Sequence, residues 1–462
     1  MRSRTMGIYD LRSYLETLEQ NQRLLHIRKD VDLDYELANL AATVARRLGN
    51  AIFFEKIKRD SPPSQQGQLY PWGVFTNALV NPSLAALALE CSVEDLSARM
   101  GRALDPAQGI APRVTEQAPP WQANVLTGEQ INLYDLPIPI HGQYDGGAFI
   151  TGGVTVSRDP VSGRGNLSYN RMQVLDRRTF GFNVNEWRHV MQFYKHQQAQ
   201  NQPLPIAVAI GLDPAIMIAA AARYEGDELA IAGALRGEGV LVTKGVTVDL
   251  LIPYHAEIVI EGYLPPHKRH PEGPLAEFHG YYGEIWDSPV FEVTAVCFRN
   301  RPIYQTIVPG WDEHIYIGNV LPREPLLLRF VRHVSPNVRA LHIPPYGNGF
   351  LAVIQLEKSN PGEPKNVALA AFTAHVNIAK VIVVDPDVNI YDPADLHWAL
   401  TNRVDWGRDV VRIQGAQGHE MDPTANERGV HTKVIIDATY KPEIRAYGQR
   451  VAYPVVDLNL YL

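Results

Sequence analysis

Two carboxylates five positions apart, Glu272 and Glu277, stand in the run Pro271-Glu272-Gly273-Pro274-Leu275-Ala276-Glu277-Phe278-His279-Gly280-Tyr281. The Gly273-Pro274 pair between them predicts a turn, which lets both acids converge on one site. With a cation between them their proton affinities separate. One stays ionised and the other is available as a proton donor near neutrality, as general acid/base chemistry requires. The same pattern also suits a surface turn with two solvated acids.

A second segment, Asn166-Leu167-Ser168-Tyr169-Asn170-Arg171, reads as a strand whose alternation puts Asn166, Ser168 and Asn170 on one face and Arg171 on the other. That polar face addresses either solvent or a polar ligand inside a barrel. His189 follows Arg188, and Glu238 sits between Gly237 and Gly239 in a loop that allows close backbone approach. Asn, His and Glu together suit a magnesium- or manganese-like ion with a phosphate completing the shell, although separations of 23 and 49 residues form no local metal motif. His255, His267, His270 and His279 flank the carboxylate turn, with Pro266 to Pro271 expected as an exposed loop. Lys380 opens the apolar run Val381 to Val384 as a strand-end lysine. The glycine-rich Gly146 to Gly153 has neither dinucleotide-fingerprint spacing nor a phosphate-loop lysine, and no serine-hydrolase or zinc-protease motif occurs.

These residues need a large scaffold, and the chain supplies one. Its 462 residues, 45% apolar, suggest roughly three domains. Forty-three basic against 50 acidic residues leave a net charge of −7, which gives no electrostatic grip on nucleic acid or an anionic membrane. Two cysteines, Cys91 and Cys297, are too few for a disulfide framework or thiolate zinc site. No apolar run of signal or membrane-span length is present, so a cytoplasmic protein is expected.

The expected fold class is multi-domain α/β (α+β). Residues 1–105 read as an N-terminal α/β domain, with helices over Ile8 to Leu25 and Leu33 to Leu48, strands at Leu24 to Ile27, Ala51 to Phe54 and Gly73 to Val80, and further helical runs from Ser83 and Val93. The proline-rich residues 106–146 read as a linker wrapping the surface. Residues 147–310 carry a density of strands that suggests a barrel or sandwich: Phe149 to Val156, Asn166 to Leu175, Ile206 to Ile210, Val240 to Thr243, Glu257 to Glu261, Phe291 to Phe298 and Ile303 to Ile307, with one helix through Ala215 to Ala222. A connecting helix falls within 311–335. Alternating strands and helices make 336–462 an α/β C-terminal domain.

Taken together, the residues resemble the UbiD family of reversible, non-oxidative decarboxylases that use prenylated FMN. The resemblance runs in order through nearly the whole chain: the DLRxYLexLE opening (Asp10 to Glu19), NxSxxR (Asn166, Ser168, Arg171), His189, the Gly237-Glu238 loop, EGPxxExxGY (Glu272 to Tyr281) and Lys380. It implies a central split β-barrel like that of flavin reductases between the two α/β domains. It further implies that Asn166, His189 and Glu238 bind Mn²⁺ or Mg²⁺ at the flavin phosphate with K⁺ nearby, and that Thr151, Ser168, Tyr169, Asn170, Arg171, Arg188 and Lys380 contact the flavin. Arg188 stands where family members place glutamine.

The resemblance makes Glu272, Arg171 and Glu277 the catalytic network, with a covalent substrate–cofactor adduct and Glu277 as proton donor. The implied substrate is an aromatic or heteroaromatic (or α,β-unsaturated) carboxylic acid yielding CO₂. It would meet the segments Trp311 to Ile317, where Asp312, Glu313, His314 and Tyr316 add polar and aromatic groups, and Asp392 to Trp406. A flavin prenyltransferase is the implied cofactor supplier. A homodimer or dimer-based hexamer is expected, with the tail Val455 to Leu462 as a pairing element. Two other classes stay open: a split-barrel FMN oxidoreductase, and a flavin-binding protein without decarboxylase activity.

Overall fold

The computed structural model describes residues 7–59, 65–222, 224, 226–444, 450–451, 453 and 456–461. The chain forms two compact units, Met1–Pro325 and Leu326–Leu462.

The first unit opens with the helix Leu11–Gln20. Asp10 accepts the Ser13 N–H at 2.8 Å while the Ser13 hydroxyl accepts the Asp10 N–H, a reciprocal cap that stabilises the helix start by about 1 kcal/mol. The helix is shorter than the expected Ile8 to Leu25, because Asn21 closes it and Leu24–Ile27 turns into a strand. The first sheet runs in the order Leu24–Ile27, Ala51–Phe54, Gly73–Thr76, Ile303–Gln305. Its last strand, read in the sequence with the middle region, pairs in parallel with Gly73–Thr76 instead.

The second sheet has ten strands, every pairing in it antiparallel, and curls into a half-barrel. Its main path is Gly165–Tyr169, Val154–Arg158, Leu204–Ile210, Ile258–Leu264, Trp286–Phe298, Thr179–Phe182, Met172–Val174, Phe149–Ile150. Trp286–Phe298 also pairs with Arg269–Glu272 and with Asn124–Thr127. Alternating apolar residues from these strands close the core, where Phe180 stacks on Phe291 and Phe182 meets the same ring edge-on. Such pairs contribute about 0.5–1.5 kcal/mol each beyond their burial.

Two long strands expected from the sequence are broken, and both breaks fall at the site. Phe149–Ile150 and Val154–Arg158 are separated by Thr151-Gly152-Gly153, because that segment is pressed against Gln305 and Thr306. A Cβ on Gly152 would lie 2.7 Å from the Gln305 carbonyl oxygen. Gly165–Tyr169 and Met172–Val174 are separated at Asn170-Arg171, where the chain leaves one partner strand for another. Helices His189–Ala199 and Glu228–Arg236, absent from the sequence reading, pack beside the sheet.

The second unit carries a five-stranded sheet ordered Val338–His342, Leu351–Leu356, Lys380–Val384, Val430–Asp437, Val410–Gln417, with the middle three strands parallel. Helices Glu363–Ala374 and Pro393–Arg403 pack with it as the alternation predicts. Of the tail expected to pair as a strand, Val455 and Leu462 lie outside the described residues, and Leu458–Leu460 forms a short 3₁₀ turn. Among the described residues no helix is long and apolar enough to cross a membrane.

Candidate active site

Glu272 ends the strand Arg269–Glu272, which hydrogen-bonds to Trp286–Pro289, so the expected Pro266 to Pro271 loop is in part sheet. That pairing carries Glu272 to zero exposure. Arg171, released from the sheet at the strand break, meets it in a two-pronged pair, Nε to Oε1 at 2.9 Å and Nη2 to Oε2 at 3.1 Å. Asn183 Nδ2 donates to the same Oε2 at 2.7 Å. The remaining guanidinium nitrogen, Nη1, donates to Glu277 Oε1. The two acids therefore share one planar cation, the arrangement that a bidentate arginine fits and a lysine does not.

The environments of the acids differ. Burial pushes the Glu277 carboxyl up to about 7, against the opposing pull of Arg171 and with a further push from Glu272. Glu277 is thus poised between protonation states near neutrality while Glu272 is held by three donors. His314 lies within the field of Arg171. Burial, with the Arg171 charge second, lowers it to about 4, and its Nδ1 accepts the Gly310 N–H at 3.1 Å. The imidazole is therefore neutral with its proton on Nε2. Glu313 beside it is turned away, accepting the Leu79 N–H at 2.8 Å, and burial raises it to about 8. Trp311 is half-exposed under the Arg46 guanidinium.

At the opposite end of the polar strand, Asn166 Oδ1 and His189 Nδ1 are 3.0 Å apart. His189 is the first residue of its helix and Arg188 its N-cap, an exposed side chain over the Trp187 ring. The Ser168 hydroxyl donates to Asn170 Oδ1 at 2.8 Å, Asn170 Nδ2 donates to the Asn183 carbonyl at 3.2 Å, and the Tyr169 hydroxyl is buried without a hydrogen bond. The Thr151 hydroxyl donates to the Ile307 carbonyl at 2.7 Å and lies 3.0 Å from the Thr306 hydroxyl. Lys380 is an exposed strand-opening residue of the second unit.

Glu238 is not gathered with Asn166 and His189. It follows the αL residue Gly237 that ends Glu228–Arg236, and its exposed carboxylate pairs with Arg113 at 3.1 Å. The acid that does reach the polar strand is Glu228, at the start of the same helix. Its Oε2 accepts the Leu167 N–H at 2.8 Å, one peptide from Asn166. Eight residues at about 1.5 Å rise put Arg236, the end of that helix, roughly 12 Å along its axis from Glu228, and Glu238 lies beyond it. Glu228 is buried, and desolvation, against the Leu167 N–H, raises it to about 8. Its sequence signal, an acid following the Asp227 N-cap, is too common to single it out. Among the described residues no trio of His, Cys, Asp or Glu is arranged to hold a metal, so a site here needs the Asn166 amide oxygen. The set of amide oxygen, imidazole nitrogen and carboxylate fits a hard or borderline divalent ion.

Three family models match in sequence along the chain: the N-terminal (residues 15–104), Rift-related (113–312) and C-terminal (316–438) domains of 3-octaprenyl-4-hydroxybenzoate carboxy-lyase, UbiD. The chain belongs to the UbiD carboxy-lyase family. A UbiD-class relative, HmfF from Pelotomaculum thermopropionicum solved with FMN, has a TM-score of 0.90 at 36% identity over 98% of this chain and 100% of that one. An evolved dimeric form of the same enzyme, solved with prFMN, gives 0.87 at 34% over 98% and 100%. The 3,4-dihydroxybenzoic acid decarboxylase of Klebsiella pneumoniae gives 0.89 at 30% over 98% and 99%. Anhydromevalonate phosphate decarboxylase from Methanosarcina mazei is 30% identical over 441 residues, 93% of this chain and 95% of that one. As in the other UbiD members, the fold is mixed α/β around a curled half-barrel.

Proposed function

We propose that this UbiD-family carboxy-lyase is a reversible, non-oxidative decarboxylase of an aromatic or heteroaromatic acid, with an α,β-unsaturated acid as the second substrate class, and that it works with prenylated FMN. The observation that carries the reading is the pair of unequal carboxylates on Arg171, one fixed by three hydrogen bonds, the other pushed by burial up to about 7. The FMN- and prFMN-bound HmfF structures support the cofactor, and the dihydroxybenzoate decarboxylase supports a ring acid. The anhydromevalonate phosphate relative supports the unsaturated class. Carboxy-lyase membership and the intact triad weigh against the oxidoreductase and pure-binding readings.

When bound, prenylated FMN would supply an electron sink for the loss of carbon dioxide. The chain's own residues do the rest. Glu277, protonated, delivers the proton to the carbon that lost the carboxylate, and takes it back in the carboxylation direction. Arg171 holds the donor in place and its positive charge attracts the substrate acid. Glu272, fixed by Arg171 and Asn183, keeps that guanidinium planar to the site. The neutral His314 offers an N–H to a ring hydroxyl or heteroatom. Asn166, His189 and Glu228 would hold Mn²⁺ or Mg²⁺ for the flavin phosphate, with K⁺ as a second ion, and Thr151, Ser168, Tyr169, Asn170 and Arg188 would contact the flavin. The buried Tyr169 hydroxyl and Glu228 carboxyl are polar groups that such a ligand would satisfy. The same reading calls for a flavin prenyltransferase as cofactor supplier, a homodimer or dimer-based hexamer as the assembly, and the cytoplasm as the compartment.

The deciding experiment is the mass and absorption spectrum of cofactor from protein co-produced with a flavin prenyltransferase, with metal quantified on the same sample and CO₂ release screened across ring and unsaturated acids. Prenylated FMN with one divalent ion and CO₂ from a ring acid is the expected result. Unmodified FMN without metal, or no flavin, would overturn the reading.

A further inference from the structure

The loop that bears both catalytic carboxylates is gripped along one side by two side chains that take no part in the ion triad. Gln173 lies two residues beyond Arg171, on the strand Met172–Val174 that follows the break. Its Oε1 accepts the Gly273 N–H at 2.8 Å, and its Nε2 donates to the Gly146 carbonyl at 2.7 Å. Gly146 in turn donates its N–H to the Pro274 carbonyl at 2.8 Å. The two segments touch at backbone distance, since a Cβ on Gly146 would stand 2.1 Å from the Gly273 oxygen.

The neighbouring Asp145 completes the grip. Its Oδ2 accepts the N–H groups of Gly142 at 2.6 Å and His141 at 3.1 Å, and its Oδ1 accepts the Ala276 N–H at 3.3 Å. Each clamp therefore seizes the backbone immediately beside one carboxylate: Gly273 follows Glu272, and Ala276 precedes Glu277. Between the clamps the loop closes on itself through Glu277 N–H to Tyr281 O at 2.9 Å and Gly283 N–H to Leu275 O at 2.8 Å. A rigid loop so anchored can only shift as a body, and its position relative to Arg171 is set by Gln173 and Asp145.

We propose that Gln173 and Asp145 are positioning residues of the decarboxylase, Gln173 acting on Glu272 through Gly273 and Asp145 on Glu277 through Ala276, so that they fix the distance over which the proton is delivered. The inference rests on the reading of Glu277 as proton donor. Proton transfer is steep in distance, and a displacement near 1 Å costs on the order of 10²-fold in rate.

The test uses full-length holoenzyme of Gln173→Met, which keeps the side chain's length but neither hydrogen bond, and Asp145→Asn, which keeps its shape, beside Glu277→Gln as control. Both positioning variants are expected to bind cofactor at the wild-type level and melt close to it. Their KM should stay within about threefold while kcat falls by about 10- to 100-fold, and the solvent deuterium isotope effect on kcat should grow as proton delivery becomes limiting. A merely structural anchor would not enlarge that isotope effect. Wild-type kcat and isotope effect in both variants, with Glu277→Gln inactive, would overturn the positioning role alone. So would a loss that only tracks missing cofactor or unfolding. Wild-type turnover in Glu277→Gln would instead overturn the donor reading on which the inference rests.

Discussion

Glu272 and Glu228 are both carboxylates withdrawn from water at the edge of the same half-barrel, and their surroundings are opposite. Glu272 has its counter-ion built in, with two bonds from Arg171 and one from Asn183. Glu228 has a backbone N–H and, among the described residues, no facing cation strong enough to offset burial. Desolvation raises it to about 8, with Asp227 raising it further and Arg164 opposing only weakly. A buried charge is tolerated when it is paired, and an unpaired one neutralises itself or recruits a cation. The pole at Glu272 is electrostatically complete in the protein alone. On the proposed reading, the pole at Glu228, one peptide from Asn166, is the one that an incoming ion would complete.

The largest expected effect comes from removing Glu228, the acid proposed to recruit the ion. Glu228→Gln keeps an acceptor for the Leu167 N–H, so the fold should survive. Metal and cofactor content, read by elemental analysis and absorption, should fall by more than the roughly 10- to 100-fold that loss of an outer-shell partner causes. Unchanged metal in that variant would erase the distinction between the poles. Breaking the complete pole acts on stability as well. Arg171→Met strands Glu272 without its counter-ion and is expected to cost about 3–5 kcal/mol, measured by denaturant unfolding, with turnover lost.

A pH profile sharpens the contrast within the triad. Glu277 stands near 7 rather than 4.5, chiefly through desolvation. As a proton donor it is competent below that value, so kcat for decarboxylation should hold on the acid side and fall tenfold per unit above about pH 7. Its raised value also means that its contribution to stability is full below about 4.5 and lost as pH rises through 7. A kcat flat to pH 9 would assign the proton to another group. The smallest effect belongs to Glu238→Gln. With an exposed partner in Arg113, it should change stability by within about 0.5 kcal/mol and leave metal content intact.

Much of this was legible in the residues. Periodicity located the first helices and most strands of the three large sheets, and the EGPxxE run pointed to two acids converging across a turn. What went unread has physical causes. Phe149 to Val156 and Asn166 to Leu175 carry unbroken strand propensity, and only the approach of Gln305–Thr306 and the change of partner strand at Asn170-Arg171 interrupt them. Glu238 attracted attention because glycines flank it, a local signal. Glu228 lies in a helix that the sequence reading lacks, and its burial against Leu167 is a contact across 61 positions of chain that no local pattern contains.

The sequence alone determined the inventory: which acids, amides and guanidinium are present, their order, the mixed α/β class and the net charge of −7. These follow from residue type and short-range periodicity. The tertiary structure decided which of them meet. Proton affinities near 7 for Glu277 and near 8 for Glu228 arise from desolvation and from partners distant in the chain. Burial of that kind exists only once the sheets have closed over the site.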